Sequence, residues 1–464
     1  MRMFVWLMAA TLAFGAHETL TPEMDAVIRH ISADDLRGNL SFLSSDLLEG
    51  RATPSRGLDL AAEFIASRFR AAGLEPAGGD GYFQAATLTV RQQNPAGFEM
   101  TVTSGGQTIH VAPEQTSILV DKTIALEDVP IMAADREISA GQARGKVILW
   151  TGRGRRPQVP ESAALVLFAS ESARPMVFDP EAPGRRRSFS TIVSPEVVAL
   201  LKNTKDARVT LHVEPALERP AKVRNVAGIL RGSDPALKDT YVMLTAHYDH
   251  LGTRALGEDR IYNGANDDGS GTVSVIEIAS ALASMNPHPQ RSILFVTFFG
   301  EELGLVGSRY YGRHPLEPLA KTIADLNLEQ VGRTDDTEGP EVGTATLTGF
   351  DFSGLTKVLI AAGKLTGIKV YKNEQASDAY FARSDNQALA DVGVPAHTLC
   401  VAFDYPDYHA VGDEWPKVDY PNMAKVDRMV AVGLMRLASD EAPPKWNESN
   451  PAARKYAEAA KKLK

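Results

Sequence analysis

The chain has 464 residues, more than one hydrophobic core usually organises, so two structural units or one large unit with an insertion are expected. With 44% hydrophobic and 23% charged residues it is globular rather than fibrous or disordered. A formal net charge of -9 excludes the excess of Lys and Arg that nucleic acid or an anionic membrane demands; a neutral or cationic substrate fits better.

At the amino end, Arg2 precedes the apolar run FVWLMAATLAFGA, which is short for a bilayer span and ends in small residues near Ala16. Residues 1–16 read as a secretory signal, with a buried or amphipathic first helix as the alternative. The expectation is an exported protein, periplasmic or secreted, with no integral span in the mature chain. Helical periodicity follows in LRGNLSFLSSDLLEG and GLDLAAEFIASRFRAAGLEPAG. From residue 91 to 220 the texture changes to short alternating runs such as EMTVTS, TIHVAP and GKVILW, which predicts a smaller β-rich unit inserted after an amino-terminal part, 17–90.

Beyond Pro220 strand and helix alternate: YVMLTAH, GTVSVIEIASALASM, RSILFVTFF, TIADLNLEQ, LTKVLIAAGKLTG, AHTLCVAF and the helix PNMAKVDRMVAVGLMRLAS. This pattern over residues 221–440 predicts an α/β fold, a mostly parallel, mixed sheet sandwiched by helices. Such sheets bind ligands at the carboxyl ends of their strands. Residues 441–464 form a basic helical tail that either packs or frays. Cys400, the sole cysteine, allows neither an intramolecular disulfide nor a thiolate cluster and reads as a packed thiol.

Several strand ends in the α/β half carry His or acid. In LTAHYDHLG, His247 and Asp249 lie two apart and share a face if the strand continues, so the acid can orient a metal-binding imidazole; a structural hydrogen bond is the alternative. YNGANDDGSGT places Asp267 and Asp268 in a Gly-rich loop before a helix starting near Thr272, with Ser270 able to cap it. After ILFVTFF come the adjacent acids Glu301 and Glu302. Side by side at the mouth of a buried strand they repel unless a cation compensates, one ligating and the other serving as general base; acids at a helix amino terminus are the alternative. Glu329 lies in the apolar run ADLNLEQVGR, and His409 follows Tyr408 in DYPDYHAVGDEWPKVDY. Together these are nitrogen and oxygen donors without sulfur, which suits zinc in a hydrolytic site.

HYDHLG, GANDDGSG, FFGEELGLVGS, NLEQVGR and DYHAVGDEWPKVD resemble, in order and spacing, the di-zinc aminopeptidase and glutamate-carboxypeptidase family of metallopeptidase clan MH. The resemblance covers roughly Asp35 to Gln84 and Asn225 to Ala438. It implies that Asp267 bridges two zinc ions, that His409 and Glu302 complete one site, and that His247 and Glu329 complete the other. It further implies Glu301 as general base, Asp249 as the residue orienting His247, Tyr408 as a hydroxyl stabilising the tetrahedral intermediate, and a cis peptide between Asp267 and Asp268. Two positions depart from the family's pattern: Glu329 stands where Asp is commoner, and Asn386 where many members have His. The β-rich stretch resembles a protease-associated domain, through GQARGKVILWTGRG and ESAALVLFAS.

The expected activity is zinc-dependent hydrolysis of peptides at the amino terminus. A metallo-carboxypeptidase is the nearest rival, for which Arg333 or Arg383 would hold the terminal carboxylate. A glutaminyl cyclase-like acyltransferase, which needs one zinc, and a non-catalytic receptor on the same fold are the other readings.

Overall fold

The computed structural model describes residues 19–152, 161–171, 173–182, 190–204, 206–439 and 442–463; the signal-peptide reading of residues 1–16 lies outside them. The main sheet comprises Phe83–Gln92 (β1), Met176–Phe178 (β2), Leu217–Leu230 (β3), Tyr241–His247 (β4), Ser292–Phe298 (β5), Thr322–Leu328 (β6), Thr344–Leu347 (β7), Lys369–Tyr371 (β8) and Ala396–Cys400 (β9). They stand in the order β8-β7-β9-β6-β4-β5-β3-β1-β2, and the short strand Glu75–Pro76 joins β3. Parallel pairing fills the centre, where β4 lies between β5 and β6 and β6 runs beside β9. Antiparallel strands β3, β1 and β2 extend one side.

Every residue of β4, β5 and β9 is buried, which is why these segments read as unbroken apolar runs rather than alternating ones. Helices cover both faces: Ala33–Leu43 (α1), Arg56–Ala71 (α2), Gly271–Ala283 (α3), Val306–Arg313 (α4), Leu355–Thr366 (α5), Asn386–Asp391 (α6), Tyr420–Leu437 (α7) and Arg454–Lys462 (α8). Leu40, Ile65, Ile276, Leu359 and Val430 carry α1, α2, α3, α5 and α7 into one core. Tyr311, Leu389 and Tyr456 carry α4, α6 and α8 into the core on the opposite face. The tail therefore packs, with Trp446, Tyr456 and Ala457 buried; each large apolar side chain so placed contributes about 1.5–3 kcal/mol. Among the described residues no helix is long and apolar enough to cross a membrane.

Between β1 and β3 the chain builds a second, eight-stranded sheet whose strands lie within residues 99–213, with its own core around Val102, Leu149, Leu167 and Leu211. The positions 90 and 220, where the texture of the sequence changes, fall inside β1 and β3. These two strands pair from Phe83 opposite Val226 to Gln92 opposite Leu217. Pro220, which reads as a break, sits opposite Thr89 within that ladder.

His397 on β9 is buried against Trp446, with Nδ1 2.8 Å from the Thr348 carbonyl oxygen and Nε2 2.6 Å from Ser353 Oγ. Burial pushes its pKa down to about 4. The unfolded chain takes up this proton near pH 6.5, while the folded chain refuses it until about pH 4. Stability associated with His397 is therefore intact above pH 6.5 and lost as the pH falls through that window, by up to about 3 kcal/mol. Denaturant unfolding of wild type and His397→Asn from pH 7 to pH 4 should show a shallower decline in the variant; identical slopes would rule this out.

Candidate metal centre and its cleft

The carboxyl ends of the central strands deliver the side chains that the sequence singles out. His247 ends β4; Glu301 and Glu302 form a short 3-10 turn after β5; Glu329 follows β6; and His409 lies in the loop after β9. Asp267 reaches the same point from the loop before α3. Gly264, at φ +56, opens that loop, and a Cβ there would lie 2.4 Å from the His250 ring. The peptide between Asp267 and Asp268 is cis.

Asp267 stands at the middle. His247 Nε2 is 3.3 Å from its Oδ1, while His409 Nε2 is 3.1 Å from its Oδ2 and 3.4 Å from Glu302 Oε2. Glu329 offers an oxygen within 4.8 Å of the His247 and Asp267 donors. A tetrahedral zinc, with ligands at about 2.0–2.1 Å, spaces its donor atoms by about 3.3 Å, so these separations are those of ligands around a shared cation. His247 Nε2, Asp267 Oδ2 and Glu302 Oε1 are buried without a hydrogen-bond partner, a costly state that a cation relieves. The donor set fits zinc.

The flanking acids divide their work. Asp249 Oδ1 lies 3.5 Å from His247 Nδ1 and accepts the Glu301 backbone N–H at 3.1 Å, and Oδ2 accepts from the Thr53 hydroxyl at 3.2 Å. The carboxylate thus holds the turn that carries Glu301, while the hydrogen bond of His247 Nδ1 is to the Asp249 backbone carbonyl oxygen at 3.2 Å. Asp268 turns away from Asp267 and accepts the backbone N–H groups of His247, Gly271 and Gln330 at 3.0–3.3 Å. Asp268 rather than Ser270 serves the start of α3, because the Ser270 hydroxyl donates instead to the Asn266 carbonyl oxygen at 2.8 Å.

Burial by itself would raise Asp267, yet the imidazoles of His247 and His409 beside it hold its carboxyl well below the usual carboxylate range. Burial and Asp267 push Glu302 up, but His250 and His409 bring it down to about 2. Burial opposes charge on His409, and Glu302 and Asp267 overcome it, raising the imidazole to about 10. The protons held there supply the positive charge that a divalent cation supplies when it displaces them. Glu301 moves the other way: burial raises it well above its ordinary value, Glu329 and Glu302 add to the effect, and His247 opposes it.

A cleft of about 540 Å³ opens onto this cluster, with Glu301, Glu302, Glu329 and His409 at its floor and Arg309, Tyr380, Arg383, Phe403 and Tyr408 on its walls. Tyr408 stacks on His409 with ring centres 4.1 Å apart, and burial keeps its phenol protonated. Arg383 lies over the Tyr380 ring at 4.6 Å. Arg333 is instead tied to Asp335 at 2.6 Å and Asp407 at 3.0 Å. Asn386 lies behind the cleft, accepting from the Thr398 hydroxyl and donating to the Phe381 carbonyl oxygen. The buried Cys400 thiol lines the cleft with its pKa pushed well up by burial, which keeps it unreactive.

Three participants carry no reading in the sequence. Arg51 is fully buried, and its guanidinium donates to the carbonyl oxygens of Leu43, Tyr248, Asn263 and Gly264 at 2.7–2.9 Å. Asp413 accepts the backbone N–H groups of Asn266 and Asp267, each at 3.0 Å, and the Tyr405 hydroxyl at 2.9 Å. His250 stands with Nδ1 2.8 Å from Glu302 Oε1. Its only sequence signal is being the second imidazole of HYDHLG.

Comparison with known proteins agrees with this architecture. A probable zinc metalloprotease of Leptosphaeria maculans is 33% identical over 134 residues, 28% of this chain and 30% of that protein. Aminopeptidase YwaD of Bacillus subtilis is 36% identical over 110 residues, 24% of this chain and 22% of its own length. The chain thus spans less than a third of the length of these relatives. Among solved structures, the zinc aminopeptidase BSAP of Bacillus subtilis shares the fold at a TM-score of 0.62 and 20% identity, covering 91% of this chain and 97% of that one. An aminopeptidase from Aneurinibacillus matches over the same shares at 0.58 and 17%. Residues 225–433 match peptidase family M28, and they hold all five of the converging donors. The chain accordingly carries a peptidase family M28 domain.

Proposed function

We propose that this chain is an exported, zinc-dependent exopeptidase acting as an aminopeptidase. One observation carries the reading: His247, Asp267, Glu302, Glu329 and His409, drawn from five separate segments, meet at ligand spacing beside Glu301. His247 and Glu329 would hold one zinc ion, His409 and Glu302 a second, with Asp267 shared between them. When bound, the zinc ions supply Lewis acidity, polarising the scissile carbonyl and acidifying water. Glu301 takes the proton from the attacking water on its carboxylate and returns it to the leaving amine nitrogen. Asp249 fixes the imidazole of His247 and the backbone of Glu301, and the Tyr408 hydroxyl donates to the oxyanion. The names of the relatives, a zinc metalloprotease and aminopeptidases, favour the same chemistry. Export rests on the apolar run at residues 4–16.

The inserted β-rich unit is proposed to shape access to this centre. Its Ala173, Arg174 and Pro175 line a second depression of about 340 Å³ whose other wall includes Asp249, His250 and Glu302.

A carboxypeptidase is the second reading, favoured by Arg309 and Arg383, which line the cleft and form no ion pair among the described residues. One set of measurements decides. Metal analysis should give two zinc ions per chain, a chelator should abolish peptide hydrolysis, and added zinc should restore it. A panel of free, amino-blocked and carboxyl-blocked peptides should show cleavage only where the amino terminus is free. Hydrolysis that persists without metal would end the proposal, and a requirement for a free carboxylate would move it to the second reading.

A further inference from the structure

His250 is 1% exposed, and neither of its ring nitrogens has a hydrogen-bond partner among the described residues. An imidazole packed for its shape alone would strand both polar atoms out of water, a costly arrangement that folded chains avoid. Nδ1 lies 2.8 Å from Glu302 Oε1, yet the two are not hydrogen-bonded to each other, for Oε1 is without a partner as well. Close approach without mutual aim is what two donors show when their lone pairs converge on a third body. The centre repeats it. His247 Nε2 lies 3.3 Å from Asp267 Oδ1 and His409 Nε2 lies 3.1 Å from Asp267 Oδ2, while His247 Nε2 and Asp267 Oδ2 are again without partners. Away from the centre an imidazole at such a distance does make the bond, as His212 Nε2 does with Glu214 Oε1 at 2.9 Å.

Glu302 faces both imidazoles, with Oε1 toward His250 and Oε2 3.4 Å from His409 Nε2. One donor atom from each of His250, Asp267 and Glu302 lies within 4.8 Å of the other two. The rings of His250 and His409 stand edge to face with centres 5.9 Å apart. Two imidazoles on one zinc ion, with bonds of about 2.0–2.1 Å at tetrahedral or wider angles, hold their ring centres roughly 5–6 Å apart. We propose that His250 is itself a metal ligand, its Nδ1 joining Asp267, Glu302 and His409 on the second zinc ion. Four protein donors complete a tetrahedron, so that site is closed. The site of His247, Glu329 and Asp267 has three and keeps a position for water or substrate. The proposed base stands on this open side, with Glu301 Oε2 4.0 Å from His247 Nε2.

The inference rests on the two-zinc reading above and fails separately from it. Full-length protein carrying isotope-labelled histidine is stripped of metal and loaded with cobalt(II), whose unpaired electrons displace the magnetic resonance signals of any imidazole bound to it. Wild type should show three displaced rings and His250→Gln two, which assigns the lost ring to His250. Zinc titrated against a chromophoric chelator should bind His250→Gln on the order of 100-fold more weakly at one site and within about twofold of wild type at the other. Only two displaced rings in wild type would overturn the inference and leave the two-zinc reading standing, and this count needs no variant to fold. Three rings that all persist in folded His250→Gln would overturn it too. A wild type that binds neither metal would overturn both.

Discussion

Glu301→Gln should retain both zinc ions and the wild-type fold while turnover drops by about 10²- to 10⁴-fold, the usual worth of a general base. Glutamine keeps the shape of the side chain, and the backbone N–H of residue 301 still donates to Asp249, so the turn after β5 is preserved. What disappears is an oxygen able to take a proton from water and give it up again. The adjacent substitution supplies the control. Glu302→Gln removes a charged donor that lies 3.4 Å from His409 Nε2, and its first consequence should be loss of zinc. Turnover measured beside zinc content tells the two apart. If Glu301→Gln cleaves peptides within a few-fold of wild type, Glu301 is not the base.

Arg51→Met should lower the unfolding free energy by about 3–5 kcal/mol, the usual effect of removing one side of a buried charged network. The guanidinium satisfies four carbonyl groups belonging to the end of α1, the segment after β4 and the loop that opens at Asn263. Each carbonyl left buried and unpaired costs about 1–3 kcal/mol. Burial lowers the arginine's pKa only to about 10, with Asp249, Asp413, Asp268 and Asp267 opposing the fall, so it stays charged among those acids at neutral pH. Methionine fills the volume but supplies neither the donors nor the charge. Denaturant unfolding of the two proteins measures the difference, and a change below about 1 kcal/mol would show that the carbonyls find other partners.

The features legible in the sequence are those with a local signature. Buried parallel strands appear as unbroken apolar runs, and a carboxylate or imidazole directly after such a run stands out, as Glu302 does after Phe298 and Glu329 after Leu328. His409 emerges only through its company, since a histidine among tyrosines has no periodicity to betray it. Arg51 is invisible for a different reason. Its partners are backbone oxygens up to 213 residues away, and a backbone oxygen leaves no trace in residue identity. Asp413 and Asp268 are hidden in the same manner, because both serve N–H groups. His250 requires knowing which oxygen of Glu302 faces which neighbour, a matter of ångströms that spacing along a chain does not encode. The start of α3 misleads because serine is a common cap, and here the non-helical backbone at Asp267 and Asp268 lets a carboxylate accept that N–H instead.

The ladder between β1 and β3 has a consequence for how this chain tolerates change. Gln92 and Leu217 are cross-strand partners, so the polypeptide departs and returns at one rung, a few ångströms apart. Apart from β2, which pairs with β1 in the main sheet, what lies between them is a side branch, closed at its base like a hairpin with an outsized loop. Such an attachment can be lengthened, exchanged for another module or trimmed to a tight turn without altering the course of either strand. Were the inserted unit to shape access to the cleft as proposed, selection on that access would be freed from selection on the architecture that brings the candidate ligands together.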